Sequence, residues 1–260
     1  MKVKKWIAFG LVCASALVCC TSCAVKFDYT IESKEVIGER VASAEAWDKA
    51  FRDANDLAEK EGARYSLVVH VTEGQILFNN MYSFAKNRIG YRSTGILEGK
   101  SRGKVSYTYN AYQSRFIMRM VDTGTCYREI KGGKVMDITP NADGSYTATD
   151  IGTDILADAI PITWTLFSIA EDPKEVEEQF AQATYLPEES CYYEEMSESG
   201  YTKKNWVWIV DGVVRKFRTE RTIYESLGNS FALQEEVYEV YVGGMNGTVE
   251  IPEYTYDGLI

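Results

Sequence analysis

Between residues 43 and 62 apolar positions recur at helical spacing. Trp47, Phe51, Ala54 and Ala58 form one stripe, while Asp48, Arg52, Asn55 and Glu59 point away. The spacing predicts a helix laid across a sheet, with Ser43 as its N-cap, Glu45 in its first turn and Gly62 at its end. From Tyr65 the period drops to two. A short β-branched strand at 66–72, ended by Glu73-Gly74, is followed by strand-like runs at 76–84, 90–97, 105–112, 115–121 and 126–130. Glycine-rich stretches punctuate them: 99–103, Gly124, Gly132-Gly133 and Asn141 to Gly144. This rhythm predicts an antiparallel meander.

The rhythm breaks at 155–170, a strongly apolar segment holding Ile160, Trp164 and Phe167 and divided by Pro161. Asp172-Pro173-Lys174-Glu175 then has the cap, first-turn proline and capping-box glutamate of a helix start, with Val176 and Phe180 on its apolar side. Strands resume near 184–194. Residues 205–210 are apolar on both faces through Trp206, Val207, Trp208 and Ile209, as in a strand covered on both sides. Asp211-Gly212 turns the chain into 213–224, and 231–242 and 248–251 complete the sheet. No repeat or low-complexity segment interrupts the series, so residues 43–260 read as a single antiparallel-sheet domain.

The first residues carry a different pattern: Lys2, Lys4 and Lys5, an apolar run from Trp6 to Cys20, then Thr21-Ser22-Cys23. A secretory signal peptide has this layout, and the run is short of the roughly 20 residues a spanning helix needs. Cys20-Thr21-Ser22-Cys23 resembles a bacterial lipobox, which divides the start into a signal peptide at 1–22 and a lipidated N-terminus and tether at 23–42. Three other endings stay open: lipidation at Cys20, cleavage after Ala24 to give a secreted protein, and an uncleaved anchor. Cys23 as a diacylglycerol- and palmitate-bearing residue predicts an extracytoplasmic protein held to the membrane by its N-terminal lipid.

Charge narrows the partners. The formal charge of −10 becomes about −13 without the three leader lysines, which argues against nucleic acid and against adhesion to anionic lipid. Beyond the leader only Cys126 and Cys191 remain. Outside the cytoplasm they could form a disulfide, worth roughly 4 kcal/mol in the chain-entropy model, or stay as two separate buried thiols. With one histidine, His70, there is no metal-ligand spacing.

The catalytic motifs present are fragments. Gly99-Lys100-Ser101-Arg102-Gly103 matches G-x-S-x-G, but its flanks read as strands and His70 precedes Ser101, so it reads as a hairpin turn. Asn141, Asp143 and Gly144 resemble part of a calcium loop without its bidentate glutamate. The acidic run from Glu188 to Glu198 reads as a solvated strand edge. No enzyme, cofactor or metal is expected. Segment 155–170 fits either ordinary core or short helices covering an apolar cavity on the open face of a sheet, which Met118, Met120 and the tryptophans would suit.

Trp206-Val207-Trp208-Ile209-Val210-Asp211 is similar to the "WVD" strand of the lipid-binding half-barrel superfamily, the lipoprotein carriers of the LolA, LolB, LppX and LprG type. Residues 247–254 resemble its final hairpin, and the order of elements over 43–256 matches in outline. The Leu-Pro often found after that aspartate is Gly212-Val213-Val214 here. The resemblance implies a mainly β (α+β) fold, a curved antiparallel half-barrel covering the N-terminal helix and the central apolar helical insertion. It also implies a cavity for acyl chains. On that reading Phe116, Met118, Ile160, Trp164, Phe167, Trp206 and Trp208 line the cavity. The protein would bind or carry an amphiphilic, acyl-chain-bearing ligand without catalysis. The other reading is a cell-surface interaction or assembly lipoprotein with a filled core and an unidentified protein partner.

Overall fold

A computed structural model describes residues 31, 33–77, 82–99, 101–113, 118–151, 167 and 169–256. The leader, Cys23 and residues 24–30 and 32 of the tether lie outside the described residues, as do 155–166 and 168 of the central apolar segment.

Helix α1 (Ala44–Glu61) forms where its stripe and caps predict it. The hydroxyl of Ser43 accepts the Ala46 N–H at 3.2 Å, and Gly62, at φ 80°, returns its N–H to Ala58. A Cβ on Gly62 would lie 1.9 Å from the Leu97 carbonyl oxygen, so only glycine fits. The buried face carries Trp47, Ala50, Ala54 and Ala58, and its three alanines let the helix sit close to the sheet. Helix α2 (Pro173–Gln182) starts as expected, with the Asp172 carboxylate accepting the Lys174 N–H at 2.9 Å.

The strands are β1 (Ala63–Leu77), β2 (Tyr82–Glu98), β3 (Arg102–Gln113), β4 (Met118–Lys131), β5 (Lys134–Pro140), β6 (Tyr146–Asp150), β7 (Thr184–Leu186), β8 (Cys191–Glu198), β9 (Tyr201–Val210), β10 (Val213–Leu227), β11 (Ser230–Val242) and β12 (Thr255–Tyr256). They form one large, curved, unclosed sheet in the order β12-β6-β5-β4-β3-β2-β1-β11-β10-β9-β8-β7. Among the described strands the β12–β6 pairing alone is parallel. The mainly β fold, with two helices among the described residues, is therefore as expected; the helical insertion expected at 155–170 lies mostly outside them. Asp211 and Gly212, both at positive φ (52° and 72°), make the two-residue β9–β10 turn that the Asp-Gly pair predicts.

Several boundaries differ from the sequence reading. Glu73-Gly74 does not end a strand; it is a bulge in the β1–β2 ladder. The runs expected at 115–121 and 126–130 are one strand, β4, with Gly124 inside it. A Cβ there would lie 2.6 Å from the Tyr107 hydroxyl oxygen, and one on Gly95 would lie 2.0 Å from the Tyr65 ring. Both glycines make room for a cross-strand tyrosine rather than a turn. Residues 248–251, expected as a strand in a final hairpin, are outside the sheet. The Gly247 and Val249 N–H groups donate to the Glu98 carboxylate, which takes the donors a ladder would need.

The sheet has two unlike faces. On the helix face, Ala63, Tyr65, Leu97, Val105, Val207, Ile209, Val214 and Val240 pack with α1. On the outer face a smaller cluster of Met136, Ile138 and Ala148 is packed by Ile251 and Tyr254. Segment 33–41, read as the end of a tether, is hydrogen-bonded to the sheet. The Ser33 hydroxyl donates to Glu239, the Glu39 N–H to Ile209 O, and the Val41 N–H to the Tyr192 hydroxyl. The chain thus passes from the outer face, round the β9–β10 and β7–β8 turns, to the start of α1.

Cys126 and Cys191 are free, buried thiols. The disulfide considered above is corrected: β4 and β8 stand seven places apart in the strand order, far beyond the Cα separation a disulfide tolerates.

Candidate functional site: an apolar cleft beneath the helices

A cleft of about 400 Å³ opens on the helix face between α1, α2 and strands β8–β10. Its volume falls in the roughly 300–1,000 Å³ range of small-molecule sites. Trp47 and Phe51 reach it from α1, Val176 from α2, Val207 from β9 and Phe217 from β10; Phe167 and Ile169 enter from the end of the central segment. Asp48, Gln179, Glu194 and Lys203 give it polar lining groups.

Aromatic rings run through the cleft in series. Phe217 meets Phe167 at 5.5 Å between centroids, Phe167 meets Phe51 at 5.3 Å, Phe51 meets Trp47 at 5.1 Å, and Trp47 meets Tyr192 at 5.0 Å. Three of the four contacts are edge-to-face, the arrangement the ring quadrupole favours. Burial pushes the Tyr192 hydroxyl above its ordinary pKa, which keeps it neutral and able to hydrogen-bond to Val41.

The central segment is fastened to α1 at its C-terminal end. The Asn55 side chain takes both backbone groups of Phe167: its Nδ2 donates to the carbonyl at 3.0 Å and its Oδ1 accepts the N–H at 3.1 Å. One turn earlier, Arg52 donates to the Ala170 carbonyl at 3.1 Å while paired with Asp48. The polar side of α1 is therefore not simply solvated. It positions the segment that supplies Phe167.

The expected cavity residues separate into three groups. Phe167 is 6% exposed and lines the cleft. Phe116, Ile160 and Trp164 lie outside the described residues, and Met118 is placed only by its backbone, opposite Gln113. Trp206 and Trp208 are corrected: strand alternation gives the helix face to Val207 and Ile209, so both indoles point to the outer face. There Trp206 packs on Tyr193 at 5.2 Å, and Trp208 donates from Nε1 to the Glu189 carbonyl at 3.2 Å.

The ammonium of Lys216 lies 4.4 Å from the Trp208 ring centroid and 3.7 Å from the Glu239 carboxylate. Burial lowers its pKa, with Glu239 opposing the shift. The sequence does show the α1 stripe, and that stripe supplies Trp47 and Phe51. Phe217 gives no comparable signal, because only the β10 bulge between Val214 and Lys216 sets which face it takes.

Ser101 of the G-x-S-x-G match lies in the β2–β3 turn, as expected. Among the described residues no group of three or more His, Cys, Asp or Glu side chains could hold a metal ion.

No family model matches the chain. Among solved structures it is similar to the S-type phycobiliprotein lyase CPES from Guillardia theta, at 6% identity over 78% of this chain and 98% of that one, with a TM-score of 0.22. A likeness at that overlap carries no inference about this chain.

Proposed function

We propose that this protein binds an amphiphile by its acyl chain in the helix-face cleft, without catalysis, while tethered outside the cytoplasm through lipid on Cys23. The observation that carries the reading is the cleft itself, an apolar volume of about 400 Å³ lined by aromatic rings under two helices. A 16-carbon chain buried there would contribute on the order of 10 kcal/mol before ordering costs. Polar groups at the cleft leave a place for a head group, and the lipobox-like leader would put the domain where such ligands are found.

Protein purified from membranes is extracted with organic solvent, the extract is analysed by mass spectrometry, and the stripped protein is titrated with a fluorescent fatty acid. Near-stoichiometric acyl lipid and saturable probe binding are expected, with both lost in Ala170→Trp, which fills the cleft. Absence of lipid together with absence of a probe response refutes the reading. A filled-core interaction protein is favoured by one observation, the closed α1–sheet contact at Ala50 and Ala54, both fully buried. In that case Ala170→Trp overpacks the core and costs about 1–3 kcal/mol, with no probe binding in either protein. Metabolic labelling with a palmitate analogue tests the anchor: label that survives Cys23→Ala excludes that cysteine.

A further inference from the structure

The outer face of β1–β3 holds a hollow of about 330 Å³ lined by Arg64, Ser66, Arg92, Thr94, Lys104 and Ser106, with no carboxylate in its wall. The strand register explains the grouping. Ser66 faces Thr94, Thr94 faces Ser106, and Ser106 faces Thr125, so four hydroxyls form a row across four strands. The Ser106 and Thr125 oxygens are hydrogen-bonded at 3.1 Å. Arg64 and Lys104 stand on one side of that row, both opposite Ile96, and Arg92 stands on the other side in β2. With neighbouring strands about 4.8 Å apart, the three cations surround the Thr94–Ser106 pair.

Among the described residues these cations have no carboxylate partner. The Lys104 ammonium lies over the Tyr127 ring, 5.7 Å from its centroid. The acids nearest in register are committed elsewhere. Glu239, opposite Ser66, accepts from Ser33, Tyr241 and Arg218, and Glu98 accepts from the Gly247 and Val249 N–H groups. A chain of net charge −10 thus keeps three half-buried cations together beside a row of hydroxyl donors.

We propose that this hollow binds a phosphate group. A tetrahedral oxyanion presents acceptors in all directions and can engage cations on both sides of the hydroxyl row at once, whereas a planar carboxylate satisfies one fork. The charge of a phosphate monoester also balances the site better than a single negative charge. The site faces away from the acyl cleft, so it stands whether or not that cleft is occupied. The phosphate could belong to a soluble ester or to a phospholipid head group.

The test is calorimetric titration of the full-length protein at low ionic strength with inorganic phosphate, glycerol 3-phosphate and water-soluble dihexanoyl phosphatidic acid. Saturable binding that weakens as salt is raised is expected. Lys104→Gln and Arg92→Gln should each weaken it about ten-fold, the value of one charge-assisted hydrogen bond. Thr94→Glu, an exposed position that places a carboxylate among the cations, should abolish binding while leaving the circular dichroism unchanged. Similar affinity for all three ligands assigns a soluble phosphate; much tighter binding of phosphatidic acid assigns a lipid head group. The proposal is overturned if none of the three binds, or if the affinities survive Thr94→Glu in a folded protein.

Discussion

Replacing Asn55 by alanine removes both hydrogen bonds that hold the backbone of Phe167 on α1. At a net 0.5–1.5 kcal/mol for each bond the direct loss is about 1–3 kcal/mol. The Phe167 N–H and C=O are also left without their partner, and the ring contacts with Phe51 and Phe217 loosen, at about 0.5–1.5 kcal/mol each if they are lost. A total of about 2–6 kcal/mol is expected if both ring contacts are lost, read as a lower urea midpoint at unchanged slope. Asn55→Asp keeps an acceptor for the N–H but has no donor for the carbonyl, so it should fall between wild type and alanine. The same variants should weaken acyl-probe binding, because Phe167 lines the cleft. Asn55→Ala within 0.5 kcal/mol of wild type, with unchanged probe affinity, would refute the idea that this clamp positions the segment.

Arg128 and Asp137 form a buried two-pronged ion pair, with contacts of 2.5 and 3.0 Å. Arg128→Met should cost about 3–5 kcal/mol by stranding the carboxylate, and adding Asp137→Leu should restore much of it; equal losses in single and double variants, by urea unfolding, would contradict this. Burial pushes the Cys191 thiol up to about 12. With the folded value raised, its contribution to stability is complete below the ordinary thiol pKa and is lost as pH rises towards about 12. Cys191→Ala should therefore flatten the alkaline part of the stability profile, and the native thiol should resist a maleimide at neutral pH. Gly95→Ala should destabilise by about 1–3 kcal/mol, since its Cβ would enter the Tyr65 ring; pairing it with Tyr65→Leu should recover part of the loss, and strict additivity in a double-mutant cycle would count against the contact.

Local chemistry was legible. Ser43 and Gly62 bound α1, Asp172 and Pro173 start α2, and Asp211-Gly212 makes the hairpin, because each acts on its immediate neighbours. What failed depended on partners distant in sequence. Gly124 looks like a turn until Tyr107 is placed across from it. Trp206 and Trp208 belong to a run apolar on both faces, so alternation alone could not say which face meets α1. That choice is made by the packing of Val207 and Ile209. The cleft was half legible: the α1 stripe gives Trp47 and Phe51, but nothing local shows that Asn55, on the polar side, grips Phe167 more than a hundred residues away.

The docked segment at Ser33 has a consequence for reach. Ser33 is fixed to the outer face by Glu239 and Lys216, and it lies ten positions after Cys23. Fully extended, ten residues cover at most about 35 Å. A domain anchored at Cys23 therefore keeps this patch of its outer face within about one bilayer thickness of the surface, while the cleft opens on the other side of the sheet. With that tether, the outer-face patch is the side of the domain held nearest the membrane and the helix face is the side turned from it. Extending the stretch before Ser33 with glycine and serine would lengthen this reach and leave the fold as it is.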